Sequence, residues 1–351
     1  HAKSSTWAER QFLITFWCPP PATDEALAAV AREHFNLTWV PVDGLDVAAR
    51  HGLRAMLTDE LLVPATLDDP DRRARLDHLI DRVRTHPALE AYFITDEPGA
   101  AAFPALGKLV DHLRERDPSH FAYINLFPTY ATEAQLGVSA GAAERARVGI
   151  PTNFAGVDAS NKTVLAYQDH LKKYVETVKP ALISYDHYHF LKKSDGDQYF
   201  LNLALIRMRA LESKIPFLNI VQASTVEKVW RLPTASEMRF LVYTTLAYGA
   251  RGISYFTYWG PESYGGLYQD GKPSPLLRDV TVLNAEIEKL GPALLELESM
   301  AVHHTAPLPY GTEAAPADAP ARVVGGGSFA IGLFGQKGQA AAFMVVNRSY
   351  K

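Results

Sequence analysis

The segment AYFITDEPG, residues 91–99, shows the pattern that decides the fold class of this chain. Its first residues form an apolar run of strand length, which two acids, a proline and a glycine end abruptly. An amphipathic helix is predicted directly after it, over Phe103–Arg116. An almost entirely apolar strand followed by an amphipathic helix is typical of a parallel sheet that is buried on both faces.

This unit of a strand and a helix recurs along the chain. Eight runs are predicted as strands, over Phe12–Phe16, Leu37–Val40, Arg54–Leu57, Ala91–Thr95, Phe121–Leu126, Ala181–Tyr185, Phe217–Val221 and Gly252–Phe256. Besides the helix already named, helices are predicted over Asp24–His34, Asp71–Thr85, Thr163–Val178, Tyr199–Ser213, Ala235–Tyr248 and Val280–Leu297. Eight such units close a barrel, so we predict an α/β protein with a (β/α)8 TIM barrel.

A doubly wound open sheet is the competing α/β architecture. Such a sheet that binds a nucleotide carries a glycine-rich phosphate loop after its first strand. Here the residues after the first strand, 17–21, read WCPPP. The sequence therefore favours the barrel.

The composition changes after the last predicted helix. Residues 306–321 are rich in proline and poor in large apolar residues, which indicates a linker. Phe329–Phe334 and Ala340–Val346 then predict a β-hairpin. We predict a barrel over residues 1–305 and a β-rich appendage over 306–351. The hairpin either docks on the barrel or begins a larger β-domain such as a β-sandwich.

Composition and charge exclude several functional classes. The chain has 351 residues, 35 basic and 39 acidic, so its net charge of −4 argues against a nucleic-acid or anionic-membrane partner. The single Cys18 excludes an intrachain disulfide and a multi-cysteine zinc site.

No stretch approaches the roughly 18 apolar residues of a membrane span. A start at His1 without a signal peptide predicts a processed, secreted or periplasmic protein, with a cytoplasmic location left open. The oligomeric state is not indicated.

Chemistry in a β/α barrel sits at the C-terminal ends of the strands, so each strand end was searched. Aromatic residues, carboxylates and carboxamides dominate these positions, whereas Lys and Arg are scarce. Sugars offer C–H faces that stack on aromatic rings and hydroxyls that bond Asn, Gln and Asp. The sequence thus predicts a carbohydrate substrate. The predicted substrate-binding residues are Trp17, Asn125, Tyr185, His187, Tyr188, Gln222, Tyr258, Trp259 and Glu262.

The acids Asp96 and Glu97 at the end of the fourth strand are the sharpest signal. Cleavage of a glycosidic bond needs a protonated carboxyl at the leaving oxygen and a second group that stabilises the oxocarbenium-like centre. We predict Glu97 as the general acid, because burial and a like charge raise a carboxyl pKa. Strand side chains alternate, so the two acids are expected to face different ways. The alternative is that Asp96 caps a helix and Glu97 is a surface acid.

Asp186, at the end of the sixth strand, is the second predicted catalytic carboxyl, or else a structural acid that orients its loop. His187 and His189 beside it form an H-x-H pair, which in other proteins can bind a metal. The end of the first strand offers no further ligand, so packing or hydrogen-bonding histidines are favoured. No metal or cofactor is predicted.

At these positions the chain resembles the glycoside hydrolase barrels of the superfamily that includes families 42 and 5. The matching segments are Phe12–Pro21, His86–Leu89 with Thr95–Pro98, Ser184–Tyr188, and Ala247–Gly252 with Tyr258–Trp259. The resemblance implies an acid/base after the fourth strand, which is Glu97. The residue before that acid is usually Asn in this superfamily, and here it is Asp96.

A larger departure lies at the seventh strand, where the superfamily carries its nucleophilic glutamate. Phe217–Thr225 contains no acid, and Asn219 and Gln222 stand there instead. Three alternatives remain for an oligo- or polysaccharide hydrolase of this kind. In the first, Asp186 or Glu262 is the second carboxyl, either as nucleophile or as the base of an inverting reaction. In the second, an acetamide of the substrate attacks, oriented by Asp96 with support from Tyr185 or Tyr188, as in substrate-assisted hexosaminidases. In the third, the barrel binds glycans without cleaving them.

Overall fold

The protein forms a nearly closed barrel of eight parallel strands, seen in a computed structural model that describes residues 10–138, 153–158, 160–226, 229–260, 264–321 and 323–350. Its strands are β1 (Leu13–Phe16), β2 (Leu37–Val40), β3 (Arg54–Leu57), β4 (Leu89–Asp96), β5 (Phe121–Leu126), β6 (Ile183–His187), β7 (Phe217–Gln222) and β8 (Gly252–Phe256). Neighbouring strands pair in the order β2-β3-β4-β5-β6-β7-β8-β1. The predicted (β/α)8 barrel is confirmed.

Helices connect the strands and cover the outside of the barrel. They are α1 (Asp24–Arg32), α2 (Leu45–Arg50), α3 (Pro70–Val83), α4 (Phe103–Arg116), α5 (Glu133–Leu136), α6 (Lys162–Val178), α7 (Tyr199–Ser213), α8 (Ala235–Ala247) and α9 (Pro275–Glu296). Single 3-10 turns lie at Val42–Gly44, Pro64–Asp68 and Ala100–Ala102. The side chains of Thr23, Asp69 and Thr234 accept backbone N–H bonds at the starts of α1, α3 and α8, because these N–H groups lack partners inside the helix.

Side chains alternate across each strand, so the barrel has two apolar layers. The larger one lies between the strands and the helices and includes Phe16, Tyr92 and Tyr185. The smaller one fills the barrel and includes Leu13, Trp39 and Tyr123. The barrel is therefore a packed core, and a ligand can reach it only at its ends.

Asn36 joins the two ends of the hydrogen-bonded sheet. Its backbone N–H donates to the carbonyl of Ile14 at 3.1 Å. Its side chain accepts from the Ile14 N–H at 2.9 Å and donates to the carbonyl of Phe12 at 2.8 Å. Where the barrel closes, the side-chain carboxamide of Asn36 thus makes hydrogen bonds that backbone groups make between neighbouring strands elsewhere in the sheet.

The C-terminal region forms a three-stranded antiparallel sheet, which contains the predicted hairpin and one further strand. Its strands are β9 (Glu298–His304), β10 (Phe329–Gln336) and β11 (Gln339–Asn347). The strand β9 was not predicted, because it begins directly after α9. Gly332 of β10 lies so close to the Ala247 carbonyl that a Cβ atom there would clash, so the sheet packs tightly on α8. The division at residue 305 remains a prediction.

Short strands complete the loops after β7 and β8, at Thr225–Val226, Trp259–Gly260, Tyr264–Gly265, Tyr268–Gln269 and Lys272–Pro273. Within the part of the chain that the structure describes, no helix combines the length and the apolar character needed to cross a membrane.

We expect Asn36→Ala to weaken the barrel seam. The Ile14 N–H and the Phe12 carbonyl would each lose a partner, so the free energy of unfolding should fall by about 2 kcal/mol. Asn36→Asp keeps an acceptor for the Ile14 N–H but places a carboxylate oxygen against the Phe12 carbonyl oxygen, so it should be no more stable than Asn36→Ala. Urea unfolding followed by circular dichroism measures this, and equal stability of all three proteins would contradict a closing role for Asn36.

Candidate active site

Three acids meet at the barrel mouth, the end of the barrel at which the C-terminal ends of the strands lie. Asp96 ends β4, Glu97 follows it, and Asp186 lies near the end of β6. Asn125 of β5 stands between them and donates from Nδ2 to Asp96 Oδ1 at 3.0 Å and to Asp186 Oδ1 at 2.9 Å. The Glu97 and Asp186 carboxyls hydrogen-bond to each other. Three neighbouring strands therefore hold one network of acids.

The hydroxyl groups of Ser184 and Tyr123 fix the orientation of the Asn125 amide. Its Oδ1 accepts from the Ser184 hydroxyl at 3.0 Å. The Tyr123 and Ser184 hydroxyl oxygens lie 2.8 Å apart. Because the single Ser184 proton goes to Asn125, Tyr123 donates to Ser184. This buried chain leaves both amide protons of Asn125 for the carboxylates.

The backbone at Glu97 brings both adjacent acids into the network. Its φ of +42° lies in the left-handed region, which is costly for a residue other than glycine. Its N–H donates to the Asn125 carbonyl at 2.9 Å. The turn ends the strand alternation after Asp96, and the two acids bond different partners, Asn125 for Asp96 and Asp186 for Glu97.

The environment shifts the pKa of all three carboxyls upwards. Burial, followed by the charge of Asp96, raises the pKa of Glu97 to about 7, although its hydrogen bond to Asp186 acts in the opposite direction. Asp186 is only 3% exposed, and this burial, followed by the charge of Glu97, raises its pKa well above the usual value. Burial also raises the pKa of Asp96, whose side chain still reaches solvent at the mouth. Near neutral pH the Glu97–Asp186 pair holds at least one proton.

Aromatic side chains line the mouth beside these acids, and we call Tyr130, Tyr188, Trp230 and Phe256 the aromatic wall. The Tyr188 ring centroid lies 4.3 Å from that of Trp230 and 5.3 Å from that of Phe256. The Tyr188 N–H donates to the Tyr130 hydroxyl at 3.4 Å. Burial and then the nearby charges, Asp186 foremost among them, raise the pKa of both tyrosines, so the wall lies next to the acids.

Sequence reasoning predicted only Tyr188 of this wall. Phe256 was placed in a strand without a role. Tyr130 and Trp230 follow their strands by several residues, and a search for aromatic residues throughout the loops after β5 and β7 would have found them.

Trp17, predicted to bind substrate, lies half-buried at the end of β1. Its ring packs against Trp39 at 4.7 Å and Phe93 at 5.9 Å between centroids. These rings belong to the apolar layer that fills the barrel. Trp17 therefore forms part of the floor of the mouth.

Three predicted substrate-binding residues lie on the helix side of the barrel, Tyr185 and His187 through the side-chain alternation of β6 and Tyr258 in the loop after β8. Tyr185 is fully buried in the outer layer. His187 is 1% exposed and its Nδ1 donates to Asn202 Oδ1 at 2.9 Å, which fixes its tautomer. Tyr258 stacks on Phe16 at 4.4 Å and donates to the buried Glu33 at 2.7 Å. These three side chains were predicted to contact the substrate. In the structure they are buried, and they pack against or bond neighbouring side chains instead.

Gln222, Trp259 and Glu262 complete the predicted set. Gln222 is fully buried: its Oε1 accepts from the Phe190 N–H at 2.8 Å, and its Nε2 donates to the Phe190 and Arg231 carbonyls at 3.0 and 2.8 Å. It therefore joins two loops instead of offering its amide to a ligand. Trp259 is half-buried and stacks on Tyr268 at 5.7 Å in the loop after β8. Glu262 lies outside the described residues.

The H-x-H pair does not build a metal centre with its described surroundings. His187 bonds Asn202, while His189 Nε2 lies 3.4 Å from the Tyr350 hydroxyl. Burial lowers the pKa of His187 to about 3 and that of His189 to about 4, so both rings are neutral. Within the described ranges, no three His, Cys, Asp or Glu side chains gather in a way that could hold a metal ion.

Solved structures with a similar fold share this barrel. A β-galactosidase from the psychrophilic Marinomonas ef1 matches with a TM-score of 0.54 and 13% identity over 81% of this chain and 62% of that one. A β-galactosidase from Rahnella sp. R3 matches with a TM-score of 0.54 and 12% identity over 86% of this chain and 58% of that one. A Bacteroides thetaiotaomicron VPI-5482 protein assigned as an α-L-fucosidase matches with a TM-score of 0.51 and 9% identity over 80% and 93%.

The chain shares their barrel fold. The resemblance drawn from the sequence motifs is thereby confirmed for the fold. The chain spans less than two thirds of the length of both β-galactosidases. No protein-family model matches the sequence, and no curated protein matches it.

We expect Glu97→Gln to stabilise the protein in alkaline solution only. The folded-state pKa of Glu97, about 7, lies above its ordinary value of 4.5, so ionisation costs folding free energy as the pH rises between these values. The neutral amide removes that cost, and its melting temperature should exceed the wild-type value at pH 8 but not at pH 4. Glu115→Gln, exposed on α4, is the control. An equal shift at both pH values would contradict the raised pKa.

Proposed function

We propose that this protein is a glycoside hydrolase that acts on an oligo- or polysaccharide, with Glu97 as its general acid/base. The observation that carries the proposal is a protonatable, half-buried Glu97 at the mouth of a β/α barrel, beside an aromatic wall. A general acid works best when its pKa lies near the working pH, and the pKa of Glu97 is about 7. The solved glycoside hydrolases with the same fold support this function.

Asp186 has a different role in this proposal from the one predicted for it. Carboxyls lie roughly 5–5.5 Å apart in retaining enzymes and 6.5–9.5 Å apart in inverting ones. Asp186 is hydrogen-bonded directly to Glu97 and is almost fully buried. It has no free path to an anomeric carbon, so we propose that it shares a proton with Glu97 and holds that side chain in place.

Asp96 is then the second carboxylate that a substrate meets. It is exposed at the mouth, and Asn125 fixes one of its oxygens. A carboxylate held there could stabilise the oxocarbenium-like centre or orient an acetamide of the sugar for attack. The arrangement favours the substrate-assisted alternative over Asp186 as nucleophile. Glu262 remains an alternative second carboxyl.

We expect Glu97→Gln to lower kcat by about 10²–10⁴-fold while glycan affinity changes little, because a lost proton donor affects the transition state. The loss should be larger for alkyl or phenyl glycosides than for 2,4-dinitrophenyl glycosides, whose leaving group needs no proton. A panel of 2-hydroxy and 2-acetamido glycosides identifies the substrate first. Equal losses for all leaving groups, or near-normal turnover, would exclude Glu97 as the acid. Saccharide binding without cleavage by the wild type would indicate a glycan-binding barrel.

The pH profile gives an independent check. The general acid must be protonated to act. Above a pH of about 7, kcat/KM should therefore fall tenfold for each further pH unit. Asp96→Asn removes a charge that raises the pKa of Glu97, so the alkaline limb should move to lower pH. Steady-state kinetics from pH 4 to 9 measure both effects. A limb that stays in place in the variant would show that Asp96 does not act on the titrating group.

A further inference from the structure

We propose that the C-terminal sheet supports the substrate-binding mouth: Tyr350, just after β11, and Arg231 act as positioning residues for the Tyr188–Trp230 part of the aromatic wall. The role of that wall in binding sugar rests on the proposed function. The connection between the sheet and the wall rests on geometry alone.

Tyr350 reaches from the end of the C-terminal sheet into the loop after β6. Its hydroxyl donates to Asp195 Oδ2 at 2.9 Å. Its ring packs 4.5 Å from the Phe240 ring of α8 and 5.5 Å from the Phe190 ring, measured between centroids. A residue of the appendage is thus anchored on α8 and bonded to a loop that borders the mouth.

Arg231 donates a hydrogen bond to the other carboxylate oxygen of Asp195. Its Nη2 donates to Asp195 Oδ1 at 2.8 Å and its Nη1 to Glu237 Oε2 at 2.6 Å. Glu237 also caps the start of α8, where its Oε2 accepts from the Thr234 N–H at 2.8 Å. The guanidinium lies 4.6 Å over the Phe190 ring. One planar cation therefore ties the loop after β6 to a fixed helix end, a geometry that a lysine does not reproduce.

The backbone of the same residues carries the constraint to the wall. The Arg231 N–H donates to the Phe190 carbonyl at 3.1 Å, and the Arg231 carbonyl accepts from the Gln222 side chain at 2.8 Å. Trp230, directly before Arg231, packs on Tyr188, two residues before Phe190. The path from Tyr350 to the wall therefore runs through the side chains of Asp195 and Arg231. It then follows the backbone from Arg231 to Trp230, and from Phe190 to Tyr188.

These contacts are partly shielded from solvent, so they contribute more than exposed ion pairs do. The side chains of Arg231, Asp195 and Glu237 are 28%, 18% and 7% exposed. Without the Tyr350 hydroxyl, Asp195 keeps its bond to Arg231 but loses its side-chain bond to the C-terminal sheet. The two loops should then open more often while the barrel strands stay as they are.

The test compares Tyr350→Phe with the matched control Tyr243→Phe. Tyr243 also bonds a carboxylate, Glu286 at 2.5 Å, but Glu286 belongs to α9 and not to a mouth loop. Hydrogen–deuterium exchange of the whole chain needs no substrate. Exchange of residues 188–198 and 229–234 should be about 2- to 10-fold faster in Tyr350→Phe, with the barrel strands unchanged, and unaltered in the control. Unchanged exchange in both segments would overturn the proposal.

Kinetics on the glycoside that the wild type cleaves then test the role in binding. Tyr350→Phe should raise KM by about 2- to 10-fold with kcat nearly constant, because the wall binds ground state and transition state alike. Asp195→Asn should act in the same way, and the double variant should be less than additive, because both residues act through one path. A fall in kcat without a change in KM, or full additivity, would overturn the role in binding. If no glycoside is cleaved, the proposed function fails, while the exchange experiment still decides the positioning role.

Discussion

The two N–H bonds of the Asn125 side chain are the contacts on which the arrangement of the candidate site depends. They hold Asp96 and Asp186 on either side of one amide, and Glu97 completes the group by bonding Asp186. Burial raises the pKa of all three acids, and the charge of a neighbouring carboxylate raises the pKa of Glu97 and Asp186 further, so protons stay with this pair. The neutral Asn125 amide, which donates to Asp96 and to Asp186, limits the repulsion between them.

The rest of the structure keeps this group in place. The outer apolar layer and the filled barrel make the strands rigid, so the strand ends hold their spacing. Asn36 closes the barrel at its seam. The loops are less constrained by the core, and side-chain bonds from Gln222 and Arg231 tie two of them together. The C-terminal sheet contributes to those ties through Tyr350.

Sequence reasoning located the acids of the mouth more successfully than it located the aromatic residues that line it. Asp96 and Glu97 follow an unmistakable strand, so their position at the mouth could be predicted. Tyr185 lies within β6 and Tyr258 follows β8, but a shift of one residue along a strand moves a side chain from the mouth to the helix side. Trp230 lies eight residues after β7, and nothing local in the sequence indicates that its loop folds back onto Tyr188.

The barrel could be predicted from the order of the amino acids, because the period of apolar residues and the count of eight units are local features. The gathering of acids and aromatic residues at the strand ends could be predicted in the same way. Which of these residues meet depends on the folded chain. Asp96 pairs with Asn125, and Asn125 with Ser184, through the register of three strands that are far apart in the chain. That register, and the left-handed turn at Glu97, depend on contacts between distant residues, which local patterns do not encode.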